Sequence, residues 1–317
     1  MLLKLGMESK EKDKKIRIEK VLVAGLGQLG LPVAKYVKQK GFETYGYDIN
    51  PEAVERAFTN FGIQKIDSFE EIDVFILCVS THEPNDMFTP QIEGLLSLAE
   101  KISKEAKSGA LVSIESTISK GTSKRIFEML NHRLHVAHAP HRWYALEEDV
   151  HGVNQLRVLG GVNDCCLRLA LEFYDVRNKY LEKKEENESN EKDLGIPMHP
   201  VSEIEIAELT KIIENANRYM QIAFAEDLYL YCHANNVNFA ELKDALNTKW
   251  NVDILEPLDG IGGHCLPKDT KMFIQSSRSI RSKILLAAME VDEDYRRYRQ
   301  SRGVHTISQK LKNLQTT

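Results

Sequence analysis

The chain has 317 residues, 42% hydrophobic and 28% charged, which suits a soluble globular protein of about two domains. A net charge of −5 and a sequence pI near 6.1 give no electrostatic reason to expect nucleic acid as a partner. Five cysteines, none in a CxxC pair, argue against a disulfide framework or a metal centre and make a reducing cytoplasm the expected compartment.

Residues 1–18 are mostly charged and read as a loose arm, with no apolar stretch long enough for a signal peptide or a membrane anchor. Val21-Leu22-Val23-Ala24 then reads as a buried strand, GLGQLG opens a helix to about Lys38, and Glu43–Asp48 reads as a second strand. Apolar strands follow at 73–79, 110–115, 134–138 and 156–160, with helix-like segments between them. This alternation predicts an α/β fold, a Rossmann-like and mostly parallel sheet domain over 19–180.

The segment LEKKEENESNEKD, 181–193, is almost wholly polar. It reads as a solvated linker or a charged helix end, with one last strand of the sheet domain before residue 200. A helical period then runs for about thirty residues, with Ser202 and Glu205 spaced as a capping box. A second helix is expected from about Asn238 to Thr248, and a last one over about 282–300. Residues 201–317 therefore read as a mainly helical domain.

Gly25, Gly27 and Gly30 form GxGxxG between a strand and a helix, where bare backbone can approach a pyrophosphate at a helix N-terminus. Asp48, at the end of the second strand, is placed to accept hydrogen bonds from ribose hydroxyls and to repel a 2′-phosphate, which favours NAD over NADP. Gln28 and Leu29 within the turn, and Ser80 after the 73–79 strand, complete the expected cofactor set.

Lys211 and Asn215 lie one helical turn apart, so a positive charge and an amide leave the same face. Cys265 sits in DGIGGHCLPKDT, where Gly262 and Gly263 leave room for a substrate carbonyl, and Lys268 and Asp269 bring charge. A packed structural cysteine is the alternative. Cys78, Cys165, Cys166 and Cys232 read as ordinary packing residues. Thr117, just past the 110–115 strand, either holds water or a cofactor hydroxyl or serves as a helix cap.

Together VLVAGLGQLGLPVA, YDIN, IESTISKGT, APHR with RVLGG, AELTKIIENANRYMQIAFAEDL and GIGGHCLPKDT resemble the UDP-glucose/GDP-mannose dehydrogenase family, in that family's order and over about residues 20–300. The resemblance implies two successive NAD-dependent oxidations of a nucleotide-sugar primary alcohol to a uronic acid. It also implies that Cys265 attacks the intermediate aldehyde, Lys211 and Asn215 stabilise the oxyanion, and Asp269 and Thr117 handle water. The long helix resembles the family's dimerisation core, so a homodimer is expected.

Two departures stand out. The family pattern has Pro-Glu where this chain has Pro140-His141, so His141 either takes over the glutamate's role or marks a changed reaction. Family members continue into a third, nucleotide-binding domain, whereas this sequence stops at Thr317, which leaves weak activity, a smaller substrate or a separate partner subunit open. Two other readings remain: a two-electron dehydrogenase of the 6-phosphogluconate or β-hydroxyacid type, which needs no thiol, and a non-catalytic NAD-binding regulatory protein.

Overall fold

The strand run Val21–Ala24 is buried on both faces, with Val21 and Val23 in one core and Leu22 and Ala24 in another, so it lies mid-sheet with helices on each side. The computed structural model describes residues 18–83, 85–143, 147–181, 192–263, 265–276 and 282–302. The expected arm up to residue 17, and residues 182–191 of the polar segment, lie outside the described residues.

In chain order the first elements are β1 (Lys20–Ala24), α1 (Gly30–Gln39), β2 (Glu43–Tyr47), α2 (Pro51–Phe61), β3 (Gln64–Lys65) and β4 (Val74–Leu77). A small hairpin, β5 (His82–Glu83) and β6 (Asp86–Pro90), leads to α3 (Glu93–Glu105), β7 (Leu111–Ile114), α4 (Thr122–Met129) and β8 (His135–His138). Then come β9 (Arg157–Gly161), α5 (Asp164–Tyr174) and β10 (Met198–Val201). Local chemistry sets several of these ends. Asn50 caps α2 by accepting the Glu52 N–H, Pro51 opens it, and Gly62 closes it in the left-handed region at φ 61°.

The sheet order is β10-β9-β8-β7-β4-β1-β2-β3, and every pairing is parallel except β8 with β9. The expected mostly parallel α/β sheet is therefore what forms. The strand order reverses between β1 and β4, which opens a crevice at their carboxyl ends. Because β9 runs the other way, its first residue, Arg157, lies at the same edge as the carboxyl end of β8.

The remaining elements are α6 (Ile204–Ala234), α7 (Phe239–Leu246), α8 (Cys265–Ser276) and α9 (Lys283–Ser301). With 31 residues, α6 is about 46 Å long. It rests its first turns on β8 and β9, and its flanks take α8 and α9. The capping box expected from Ser202 and Glu205 does not form. Glu203 holds the N-cap position without a side-chain cap, because the Glu205 carboxylate is drawn 2.5 Å from Lys124 Nζ instead. The proposed cap at Thr117 is likewise absent, since α4 starts only at Thr122, behind Gly121.

Candidate active site

The glycine turn fits a dinucleotide. Gly25 has φ +87°, and a Cβ there would lie 2.5 Å from the Cys78 carbonyl oxygen; a Cβ on Gly30 would lie 1.6 Å from that of Gly25. Only glycine allows the turn to fold this tightly against the end of β4. A Cβ on Gly27, by contrast, meets open space, and Gln28 and Leu29 follow it at the mouth of the crevice. Asp48, half-buried at the end of β2, accepts the Leu26 N–H at 2.7 Å and the Asn50 N–H at 2.8 Å. A carboxylate offers about four lone-pair sites, so two remain for ribose hydroxyls. Ser80 is exposed just past β4, on the other side of the crevice.

Three side chains on one stripe of α6, Glu208, Lys211 and Asn215, point into the sheet edge and α8. Glu208 is fully buried and accepts the N–H groups of Gly121 and Ser123, which fixes α6 against the start of α4. Lys211 lies close enough to His141 for its charge to act on the imidazole. Asn215 donates to Asp269 Oδ2, joining the helical lysine-asparagine face to the helix that begins with Cys265. On the adjoining face of α6, Glu214 pairs with Arg142, whose own guanidinium donates to the Leu156 carbonyl at 3.0 Å.

Cys265 is the first residue of α8, open to solvent on one side, in a position where a helix N-terminus favours a thiolate. Protein packed against its other side raises the thiol above its usual range, and Asp269 adds to this, while Lys268 and Lys211 oppose it. Lys268 and Asp269 are buried and paired at 2.8 Å, and Lys268 also donates to Thr81 Oγ1 at 3.3 Å. Thr81 follows β4, so this lysine ties the cysteine helix to the cofactor crevice.

Helix α9 holds the loop that delivers Cys265. Asp292 accepts the Ile261 N–H at 2.9 Å, Arg296 donates to the Ile261 carbonyl at 2.7 Å, and Arg299 pairs with Asp259 at 2.8 Å. Gly262 and Gly263 follow, both exposed, as the sequence reading requires for an accessible loop.

At the carboxyl ends of β7 and β8 lies a buried polar cluster of which the sequence reading named only His141. Glu115, 1% exposed, accepts hydrogen bonds from His141 Nε2 and Tyr174 and pairs with Arg157 at 3.1 Å. Burial pushes the Glu115 carboxyl up, but Arg157, His141 and these hydrogen bonds outweigh it and hold it at about 2. Burial and Arg157 bring His141 down to about 4 against the pull of Glu115. The imidazole is therefore neutral at pH 7. With Nε2–H donating to Glu115, its Nδ1 keeps a lone pair, and that atom is buried without a hydrogen-bond partner. The glutamate in IEST and the arginine in RVLGG were the signals: charged residues inside otherwise apolar strand runs.

Thr117 lies half-buried two residues beyond Glu115, and the neighbouring Ser116 hydroxyl donates to the Val79 carbonyl at 2.7 Å, so the loop is moored to the cofactor crevice. One of the other cysteines departs from the packing role expected of it: Cys165 is exposed, whereas Cys78, one residue beyond β4, packs against the core with its thiol 3.9 Å from Glu115. Among the described residues, no helix is long and apolar enough to cross a membrane.

Comparison with known proteins finds similar domains along the chain. Residues 205–294 match the central domain of the UDP-glucose/GDP-mannose dehydrogenase family, and residues 20–140 match the NAD binding domain of 6-phosphogluconate dehydrogenase. A UDP-N-acetyl-D-mannosamine dehydrogenase of Methanococcus maripaludis is 27% identical, over 91% of this chain and 68% of its own length. An NDP-N-acetyl-D-galactosaminuronic acid dehydrogenase of Ralstonia solanacearum is 28% identical, over 89% of this chain and 70% of its own. The solved UDP-D-ManNAc dehydrogenase of Pyrococcus horikoshii superposes with a TM-score of 0.73 at 26% identity, covering 89% of this chain and 70% of that one. With NAD as its cofactor and oxidation of a CH–OH group as its chemistry, this chain is similar to the UDP-glucose/GDP-mannose dehydrogenase family, whose central domain it matches over residues 205–294.

Proposed function

We propose that the chain oxidises the primary alcohol of a nucleotide sugar to the uronic acid in two hydride transfers, with Cys265 holding the sugar between them. The observation that carries this reading is the bond from Asn215 to Asp269, which brings the α6 lysine-asparagine face and the cysteine helix into one site. When bound, NAD supplies the hydride acceptor for each oxidation.

The first oxidation takes the hydride from the alcohol carbon while the hydroxyl proton passes to solvent, and gives an aldehyde. Cys265 loses its proton, its sulfur bonds to the aldehyde carbon, and the carbonyl oxygen becomes an oxyanion facing Lys211 and Asn215. Loss of hydride from that carbon leaves a thioester. Water then adds, the C–S bond breaks, and the thiol and the carboxylate part. Asp269 and Thr117 hold that water, and His141, whose Nδ1 lone pair is unused, takes its proton. Lys268 acts through its ion pair with Asp269, which tempers the charge beside the thiol, and Gly262 and Gly263 leave space for the sugar.

The relatives' names put UDP-N-acetylhexosamines first among the substrates to try. The same reading includes a homodimer built on α6, which exposes Ile206, Ile213, Phe224 and Tyr231 along its length.

The test is NADH yield per sugar across UDP- and GDP-sugars, with Cys265→Ala beside the native protein. The expected result is two NADH per sugar, cut to one or none in the variant. One NADH per turnover with both proteins would replace this reading with a two-electron dehydrogenase. No NADH from any sugar, from protein that binds NAD, would leave a regulatory role.

A further inference from the structure

Where β8 begins, three soft donors meet. His135 opens β8, while Cys165 and Cys166 lie in the first turn of α5, and one ligand atom from each falls within 4.8 Å of the others. The Cys165 sulfur is 3.6 Å from His135 Nδ1. A tetrahedral ion with metal–sulfur and metal–nitrogen bonds of about 2.3 and 2.05 Å holds such atoms about 3.5 Å apart. The pair is thus already at coordination spacing.

Other features of the site hold the sulfurs in place. Both cysteines sit where the α5 macrodipole is positive, and the Val136 N–H donates to Cys166 Sγ at 3.4 Å. Asn163 caps the helix through the Cys166 N–H at 2.9 Å and accepts from the Cys165 thiol at 3.0 Å, which fixes the turn that presents both sulfurs. Asp164 is turned away and paired with Arg168 at 2.7 Å. Cys166 is buried, His135 is half-buried and Cys165 is exposed, so a cation can enter from solvent and keep one open position for water.

We propose that His135, Cys165 and Cys166 form a binding site for a zinc-class d10 cation, held by two thiolates and one imidazole. Each thiol releases its proton to solvent as its sulfur coordinates. The site lies at the opposite edge of the sheet from His141, since His135 starts the strand whose other end, His138, approaches the buried cluster. Bound metal therefore clips β8 to α5 and plays no part in the hydride chemistry. The inference is independent of the proposed reaction.

Cobalt(II) is the probe, titrated into the full chain after chelation and read by visible absorption. Intense tetrahedral ligand-field bands with sulfur-to-cobalt charge transfer are expected at one equivalent, bleached by zinc. Cys165→Ser is the decisive variant because that side chain is exposed, and NAD binding checks that it folds. It should lose the bands, His135→Asn should weaken cobalt binding at least about tenfold, and Cys265→Ser should leave the bands intact. The absence of thiolate bands in the native chain, or bands that survive Cys165→Ser or vanish in Cys265→Ser, would overturn the site.

Discussion

The carboxylate of Glu208 lies 2.6 Å from the Gly121 nitrogen and 2.8 Å from that of Ser123, so a side chain of α6 caps α4 from another part of the fold. The first N–H groups of a helix have no partner within it, and Gly121 brings no side chain to the task. Burial raises the Glu208 carboxyl, and the bonds from Ser123 and Gly121 pull it back. Glu208→Ala should lower the unfolding free energy by about 2–3 kcal/mol, and Glu208→Gln by roughly half as much. Urea denaturation checks this. NAD affinity should survive in both, since the glycine turn is untouched, while turnover drops as α6 loosens against the Thr117 loop.

Asp269 stands against ionisation of Cys265, and removing its charge should make the thiol more acidic. Asp269→Asn is expected to speed iodoacetamide alkylation of Cys265 at pH 7 by about three- to tenfold, the effect of a shift of half to one unit. Turnover should fall in the same variant, because Asn215 and Lys268 lose the carboxylate that orients them. Alkylation followed by peptide mapping, with Cys265→Ala as the blank, separates the two effects.

His141→Glu restores the family residue but places a second carboxylate against Glu115, with Arg157 the partner for both. Two carboxylates in contact cannot both ionise readily, so one pKa rises, and the variant should lose stability as pH climbs from 5 to 8. The native histidine at this position contributes the opposite slope. His138 and His141 both titrate near 4 when folded, against about 6.5 unfolded. The unfolded chain therefore binds more protons between those values, and each histidine removes up to about 3 kcal/mol of stability as pH falls through that window. The gap in denaturation midpoint between His141→Glu and the native chain should therefore widen from pH 5 to pH 8; a constant gap would count against the buried cluster.

Glu226 is fully buried on α6, and desolvation with the Asp292 charge beside it pushes its carboxyl up to about 8. A raised carboxyl pKa gives stability that is full below about 4.5 and lost as pH rises through 8. Glu226→Gln has no such proton to lose. Relative to the native chain it should gain about 3 kcal/mol between pH 5 and 8, read from urea midpoints across that range.

Much of the fold is legible in the sequence because its signals are local. Each buried strand is a short apolar run, α6 carries a helical period, and GLGQLG with Asp48 marks the crevice within thirty residues. Lys211, Asn215 and Cys265 are singled out by equally local signals. What local pattern cannot supply is partnership across the sheet. The reversed direction of β9 brings Arg157 to Glu115 and His141, and nothing in RVLGG alone announces it. Glu205 looks like a capping residue until Lys124 arrives from α4 and takes it. Likewise the vicinal Cys165-Cys166 has no metal-ligand spacing, because its third donor comes from a strand thirty residues away.

Helix α6 has one more consequence, for how this protein can change over time. Glu208, Lys211 and Asn215 serve three different neighbours, α4, the His141 loop and α8, from a single rigid rod. One residue inserted after Glu208 would rotate the other two by about 100° and slide them about 1.5 Å, severing the helix from the site in a single event. The rod works as a ruler. Its sequence can drift by substitution, but between positions 208 and 215 its length is fixed.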